Sequence, residues 1–532
     1  MLASGFLRCL FFAAAMAGLP LFSLQAAEEK TVGDAGPKTV DGIVQPQKPV
    51  GRMLRDAMQL LQRTDNGYVP GKLGEKLPPY VQYATFKPDG SPRMHCSFPA
   101  FHHSLYILAF LRYYAFTGET EWLWRARDLA DWNIANSTAA GGTYSDLPFS
   151  VFEGGKPRGS ADGRSIETDK PALMGSAYLA VYDATGEQKY LEAAKKIADT
   201  LAKNQRADGS WPFRVIPEEG TVYDDYGCGA VFAVEFFENL LARERSPKYS
   251  EAHDKALQWM LENPVKHGWW AGFHEDVGSK GKTGNVVFMP MAFTCGYLLR
   301  KRSDSPQYLS WAEDIHAAIR KHFVHLEDHA LAPAPGVAEQ LACNVIMPVH
   351  TACYCSLLCT VYEVKASEDL RKMVVSGINS CTWAQIRNGA IMTWLHLPQR
   401  DPKSQKFDFT KWLDALGKQD DTWYSIHIGT LLYVFDAMAA FPEIAPEGED
   451  HVLGFETPPR NVRYEKGKVS FSASRPSCTT LKLSFEPASV KLAGKDLPRR
   501  EMLSADAAGW TFDKSGALLK IRHEAGGVVV SK

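Results

Sequence analysis

A repeated helical hairpin constrains this chain more than any other feature. Phe116-Thr117-Gly118-Glu119 leads into Trp122-Leu123-Trp124-Arg125-Ala126, and Ala184-Thr185-Gly186-Glu187 leads into Tyr190-Leu191-Glu192-Ala193-Ala194. Weaker copies stand at Ser246-Pro247-Lys248-Tyr249 and at Ser305-Pro306-Gln307-Tyr308-Leu309. The copies recur about every sixty residues, which marks a repeat architecture. Before each turn the pattern is apolar nearly all round, as in Pro171 to Tyr182, and such a helix is buried on every side. After each turn it is amphipathic: Lys189, Glu192, Lys195, Lys196 and Asp199 are polar, whereas Leu191, Ala194, Ile197, Ala198 and Leu201 are not.

An inner helix, a tight turn, an outer helix and a long loop, repeated, is the wiring of a mainly α (α/α)6 toroid. One hairpin cannot bury its apolar face, but several closing on one another can. Inner helices are expected near 101–116, 170–183, 226–242, 286–300, 344–363 and 424–440. Outer helices are expected near 120–135, 187–204, 248–262, 306–322 and 367–378, with 51–63 closing the ring. An open helical solenoid is the alternative, and long loops on one side argue against it.

The ends of the chain differ from the middle. Residues 1–26 have the layout of a signal peptide: Arg8, an apolar stretch from Cys9 to Leu24, then Gln25-Ala26-Ala27 before Glu28-Glu29-Lys30. Export to the periplasm or medium is expected, with no stable membrane span after cleavage. Residues 27–48 read as a loosely held lead-in, 49–445 as the toroid, and 446–532 as a small all-β, sandwich-like module with strand-like alternation at Lys468–Ser472 and Thr480–Phe485.

A net charge of −2 leaves no footprint for nucleic acid. The 10 cysteines lack zinc-knuckle spacing, so Cys343, Cys353, Cys355 and Cys359 read as mostly buried small residues, with one disulfide possible. No metal motif or cofactor motif is visible.

If all inner helices share one direction, their N-termini meet at one mouth, and polar residues there are functional candidates. His102 and His103 open the first inner helix. Asp169 and Lys170 open the second, Asp225 and Tyr226 the third. His274 and Glu275 precede the fourth. Asn344, His350 and Tyr354 belong to the fifth, and Trp423, Tyr424 and His427 to the sixth. Asp and Asn are also ordinary helix caps, but caps alone do not require His, Tyr and Trp. Trp211, Trp269 and Trp270 are candidate sugar-stacking platforms beside Gly turns, or else plugs between hairpins.

The hairpin wiring and the T-G-x-x-x-Y-L-x-x-A turn resemble the six-hairpin glycosidase-like group and the toroid polysaccharide lyases, over roughly residues 50–442. Gln205 to Pro212 resembles the Q-x-x-x-G-G-W-P segment of a pectate lyase family, with Ser210 in place of the second Gly. The same string matches the Q-x3-G-x-W motif of triterpene cyclases, but no D-x-D-D donor accompanies it. The resemblance implies a carbohydrate-active enzyme with a glycan substrate. In a lyase acting by β-elimination on a uronate polymer, Asn344, His350 and Tyr354, or Tyr424 with His427, carry the chemistry, while Lys170 and Arg214 lower the pKa of a Tyr base or grip the carboxylate. In a hydrolase, including the unsaturated glycuronyl type, Asp169 and Asp225 are the paired carboxylates, with Glu275 in reserve. An isomerase or epimerase on the same ring and a non-catalytic glycan binder are further alternatives.

Overall fold

The computed structural model describes residues 36–65, 67–72, 78–82, 85–86, 92–93, 98–153, 156–158, 163–274, 281–327, 329–386, 389–393, 395, 422–504 and 507–532. The expected signal peptide, Glu275, and the side chains of Trp423 and Tyr424 lie outside the described residues.

The helices are α1 (Val50–Arg63), α2 (Pro79–Gln82), α3 (Ser104–Thr117), α4 (Thr120–Ala135), α5 (Lys170–Thr185), α6 (Gln188–Lys203), α7 (Ala230–Leu241), α8 (Pro247–Met260), α9 (Phe288–Arg300), α10 (Pro306–Phe323), α11 (Pro348–Val364), α12 (Glu368–Trp383) and α13 (Tyr424–Ala440). Each of α3, α5, α7, α9 and α11 packs against the helix that follows it. The inner helices also pack side by side in the order α3, α5, α7, α9, α11, α13 and back to α3, so the ring is closed. Helix α1 packs beside α12 and supplies the sixth outer position.

The repeated T-G-E turn has a specific geometry. Gly118 and Gly186 adopt φ of 75° and 81°, and their N–H groups donate to Tyr114 O and Tyr182 O. Glycine takes this left-handed conformation without Cβ strain and ends the helix. The preceding threonine serves twice. Thr117 Oγ1 donates to Tyr113 O at 3.0 Å and accepts from Glu119 N at 3.1 Å; Thr185 does the same with Val181 O and Glu187 N. Such a short turn reverses the chain, so consecutive helices are antiparallel and all inner helices share one polarity.

Two expectations about the loops are corrected. The fifth inner helix begins at Pro348 rather than at Asn344, because Cys343–Ile346 is a strand in a sheet with Val324–His325 and Gly336–Gln340. A second small sheet joins Ile166–Glu167, Arg214–Val215 and Val222–Asp224, so the third inner helix begins at Ala230. Both sheets lie at the mouth end, ahead of α5 and α11.

The expected loose lead-in is also corrected where it is described. Val44 N donates to Ser376 Oγ at 3.1 Å, Asn379 Nδ2 donates to Val44 O at 2.8 Å, and Trp383 Nε1 donates to Gln45 O at 2.9 Å, which fastens this segment along α12.

The C-terminal module is two antiparallel sheets. One runs in the order His451–Phe455, Ser477–Lys482, Leu518–His523, Gly509–Asp513. The other runs Arg460–Glu465, Lys468–Ala473, Gly526–Ser531, Ser489–Leu492, Lys495–Asp496. The module covers the C-terminal ends of α3 and α5, opposite the mouth. Tyr464 Oη donates to Ala115 O, His451 Nδ1 to Phe116 O at 2.8 Å, and Arg460 to Tyr182 O and Asp183 O. These donors satisfy carbonyls that a helix end leaves orphaned, and a cation there suits the helix dipole. Asp183, buried, binds Arg243 of the ring and Arg475 of the module.

Candidate functional site

Five of the expected mouth residues converge. His102 lies in the last part of the π-helical turn Pro99–His103 that feeds α3. Its ring lies 5.1 Å from Phe101, which makes an edge contact with Phe273 at 5.7 Å. Lys170, the first residue of α5, lies 3.6 Å from the Phe273 ring centre and donates to Phe273 O and to Asp169 Oδ1. Arg214 donates to the next carbonyl, His274 O, at 2.8 Å. The two cations, 1% and 0% exposed, therefore hold consecutive carbonyls of the segment that carries His274. Each is matched by carboxylates: Asp169 at 3.3 Å from Lys170, and Glu167 at 3.4 Å and Asp224 at 2.8 Å from Arg214.

Above this clamp sits an acid that the sequence did not reveal. His274 Nδ1 is 3.6 Å from Glu339 Oε1, just beyond hydrogen-bond reach. Burial pushes the Glu339 carboxyl up to about 7, against a hydrogen bond from Gln340 that lowers it. His350, in the first turn of α11, is 2% exposed and lies edge-on to Phe288 at 5.4 Å. Both its ring nitrogens are buried without a hydrogen-bond partner among the described residues. Burial, with the neighbouring His274 ring adding to it, lowers His350 to about 3. Burial likewise lowers His102 to about 3, aided by His103 and Lys170. The cluster therefore combines neutral imidazoles with a carboxyl that retains its proton near neutrality. That set places a proton donor beside unprotonated imidazoles.

Asp169 is buried, and its Oδ2 has no hydrogen-bond partner among the described residues. Burial raises its pKa, opposed by Lys170. It leans on Gly229, where a Cβ would stand 2.2 Å from Oδ2, and borders a cavity of about 20 Å3 shared with Trp211 and Trp259.

Other candidates lie elsewhere. Asp225 does not pair with Asp169: its side chain is 78% exposed and bound to Arg206. The acid of that pair of neighbours that turns inward is Asp224, half-buried and bound to Arg214. Tyr226 donates to Trp269 O at 2.8 Å, and burial raises its pKa. Asn344 is exposed on its strand, 3.4 Å from His325. Tyr354 is buried and faces the outer layer, 3.0 Å from His316 of α10. A residue four positions after His350 shares its face only loosely, and here the larger ring turns outward. His103 also turns outward: Nε2 donates to Val81 O at 2.9 Å and Nδ1 accepts from Asn133 at 3.1 Å. His427 accepts from Ile391 N at 2.9 Å and lies against the Ala57 backbone of α1.

Of the tryptophans, Trp211 is a plug, buried and donating to Leu201 O at 2.9 Å. Trp270 is buried too. Trp269 is half-buried, stacks on His267 at 4.4 Å and carries Lys282 4.4 Å above its ring. It remains the one platform candidate of the three.

Among the described residues no cluster of His, Cys, Asp and Glu suits a metal ion, and no helix is long and apolar enough to cross a membrane.

No protein-family model matches this chain, and no curated protein matches it. Solved structures do match. A D-mannose isomerase aligns over 73% of this chain and 97% of its own, at 13% identity and a TM-score of 0.53. The fold is the (α/α)6 toroid. The cellobiose 2-epimerase of Spirochaeta thermophila aligns over 74% of this chain and 99% of its own, at 13% identity and a TM-score of 0.51. A sugar epimerase from a ruminal bacterium aligns over 72% and 98%, at 12% identity and a TM-score of 0.51. The toroid expected from the hairpin repeat is thereby borne out, and the C-terminal module extends beyond it. At these identities the likeness carries the architecture alone.

Proposed function

We propose that this protein is an exported enzyme that acts on sugars by moving a proton at the carbon next to a carbonyl, as in aldose–ketose isomerisation or 2-epimerisation. The observation that carries this reading is the cluster of His274, His350 and Glu339 at the mouth. An imidazole takes the proton from C2 of the open-chain sugar and leaves an enediolate. Delivery to C1, with the O2 proton passing to O1, gives the ketose; delivery to the opposite face of C2, with O1 returning to the carbonyl, gives the epimer. Glu339, which holds a proton near neutrality, and the second imidazole serve as donor and relay. The likeness of the ring to a D-mannose isomerase and to 2-epimerases agrees with this reaction class.

β-Elimination on a uronate polymer fits less well. That reaction needs a cation to neutralise the substrate carboxylate, and Lys170 and Arg214 are already occupied by Asp169, Glu167 and Asp224. Hydrolysis is the second reading, favoured by one feature: Glu339 is pushed up to about 7, as the acid of a glycosidase must be.

The test is a product analysis with glucose, mannose, fructose, cellobiose, a neutral glycan panel and polygalacturonate. Interconversion of an aldose with its ketose or 2-epimer, abolished in His350→Ala, is the expected result. Unsaturated-uronide absorbance would instead establish β-elimination, and new reducing ends without it would establish hydrolysis. Either would overturn the isomerase reading.

A further inference from the structure

At the end of the ring opposite the mouth lies a cavity of about 580 Å3. That is within the usual size of a small-ligand site, about 300–1,000 Å3. Three parts of the chain build it. Helix α1 contributes Arg55, Gln59 and Gln62, which share one helical face at i, i+4 and i+7. The α3–α4 turn contributes Glu119. The β-module contributes Glu449, Asp450, Glu465 and Lys466, with the edge of Tyr464. The cavity therefore exists only where the module docks on the ring.

Its polar groups are largely paired within the protein. Arg55 lies 3.3 Å from Glu449, which also receives His451 Nε2 at 3.0 Å. Glu119 accepts from Trp122 Nε1 at 3.0 Å, Glu465 is 3.1 Å from Lys468, and Asp450 accepts from Ser484 N at 2.6 Å. Arg55 and Lys468 match two of the four carboxylates, Glu119 and Asp450 receive neutral N–H donors, and Lys466 adds a cation to the lining, so no strong net field calls for an ion. What it offers is a high density of remaining lone pairs and amide donors next to aromatic edges. Carboxylates with spare acceptor sites and the Gln59 amide suit a ligand with many hydroxyl groups.

We infer that this seam is a binding site for a neutral oligosaccharide, separate from the chemistry at the mouth. Helix α3 has 14 residues and spans about 21 Å, so the two places lie at opposite ends of the ring. A ligand held here could not reach His350. The site would tether a glycan while the mouth acts, and its existence does not depend on which reaction the mouth performs.

The test is calorimetric titration of the full chain with cellohexaose, mannohexaose and maltohexaose, with hexagalacturonate and a chitosan hexamer as charged comparisons. Three proteins are compared: wild type, Gln59→Trp and His350→Ala. Gln59 is exposed on α1, so the new ring fills the cavity without entering the core. The expected result is saturable binding of at least one neutral hexasaccharide by wild type and His350→Ala, weakened at least about tenfold in Gln59→Trp, or about 1.4 kcal/mol. Circular dichroism and melting of Gln59→Trp check that it folds, and Lys466→Trp repeats the block from the module side. Absence of binding to every neutral glycan, preference for a charged hexamer, or undiminished affinity in both blocked variants would overturn the inference. Loss of turnover with intact seam binding in His350→Ala would leave this site standing even if the isomerase reading failed.

Discussion

Replacing Arg214 by Met removes a guanidinium that touches no substrate in this account, yet the effect is expected to be large. Arg214 is 0% exposed and meets Glu167 at 3.4 Å, Asp224 at 2.8 Å and His274 O at 2.8 Å. The substitution strands the Glu167 carboxylate, itself buried, beside a second acid. Removing one partner of a buried ion pair costs about 3–5 kcal/mol, because the other charge is left uncompensated. An orphaned buried carbonyl adds about 1–3 kcal/mol. A destabilisation of about 4 kcal/mol or more in urea unfolding is therefore expected. The segment carrying His274 also loses one of its two clamps, so turnover should fall while substrate affinity changes less. The compensating variant Arg214→Met/Glu167→Gln/Asp224→Asn removes the stranded charges and should recover most of the stability. A loss below about 1 kcal/mol for Arg214→Met, or no recovery in the triple variant, would refute the clamp.

Further outcomes follow from the same site. Glu339→Gln should stabilise the protein at pH 8 and change little near pH 4. The folded carboxyl is raised from 4.5 to about 7, so its favourable contribution is complete below about 4.5 and is lost as pH rises through about 7; the displacement corresponds to about 3 kcal/mol. Denaturant midpoints across that range check it. Acid unfolding should be steep, since burial lowers His102, His350 and His427 to about 3 and His103 and His316 to about 4; stability is lost as pH falls from about 6.5 through those values, and proton uptake on unfolding measures it. Gly272→Ala should destabilise by about 2 kcal/mol or more and impair turnover, because Gly272 has φ of 76° and a Cβ there would stand 2.1 Å from Tyr226 O, just ahead of Phe273 and His274. Asp183→Ala should free the C-terminal module to proteolysis, since it leaves Arg243 and Arg475 without their shared partner.

The ring was readable because its signals are local. Glycine turns, apolar inner segments and striped outer segments each follow from short-range chemistry, and α4 and α13 fall where periodicity predicts. The site was harder to read, because periodicity gives the element but not the rotation of each side chain. His102 faces the mouth and its neighbour His103 faces Asn133. Asp224 is locked to Arg214, whereas Asp225 is at the surface. His350 points inward and Tyr354 outward. Glu339 was missed because it sits in a short strand between helices with no motif around it. Its one signal is an acid directly after the apolar run Gly336-Val337-Ala338. Asn344 was placed on a helix because the apolar segment that follows masks the strand and the Pro348 start.

The proposed reaction requires that buried imidazoles at the mouth exchange a proton with carbon. The most direct measurement is deuterium incorporation at C2 of an aldose or its ketose in heavy water, followed by NMR with wild type, His274→Ala, His350→Ala and Glu339→Gln. Incorporation by wild type and a fall of about a hundredfold or more in each histidine variant are expected. Sugar turnover by wild type without deuterium at carbon, or full exchange in His350→Ala, would contradict the proposed reaction.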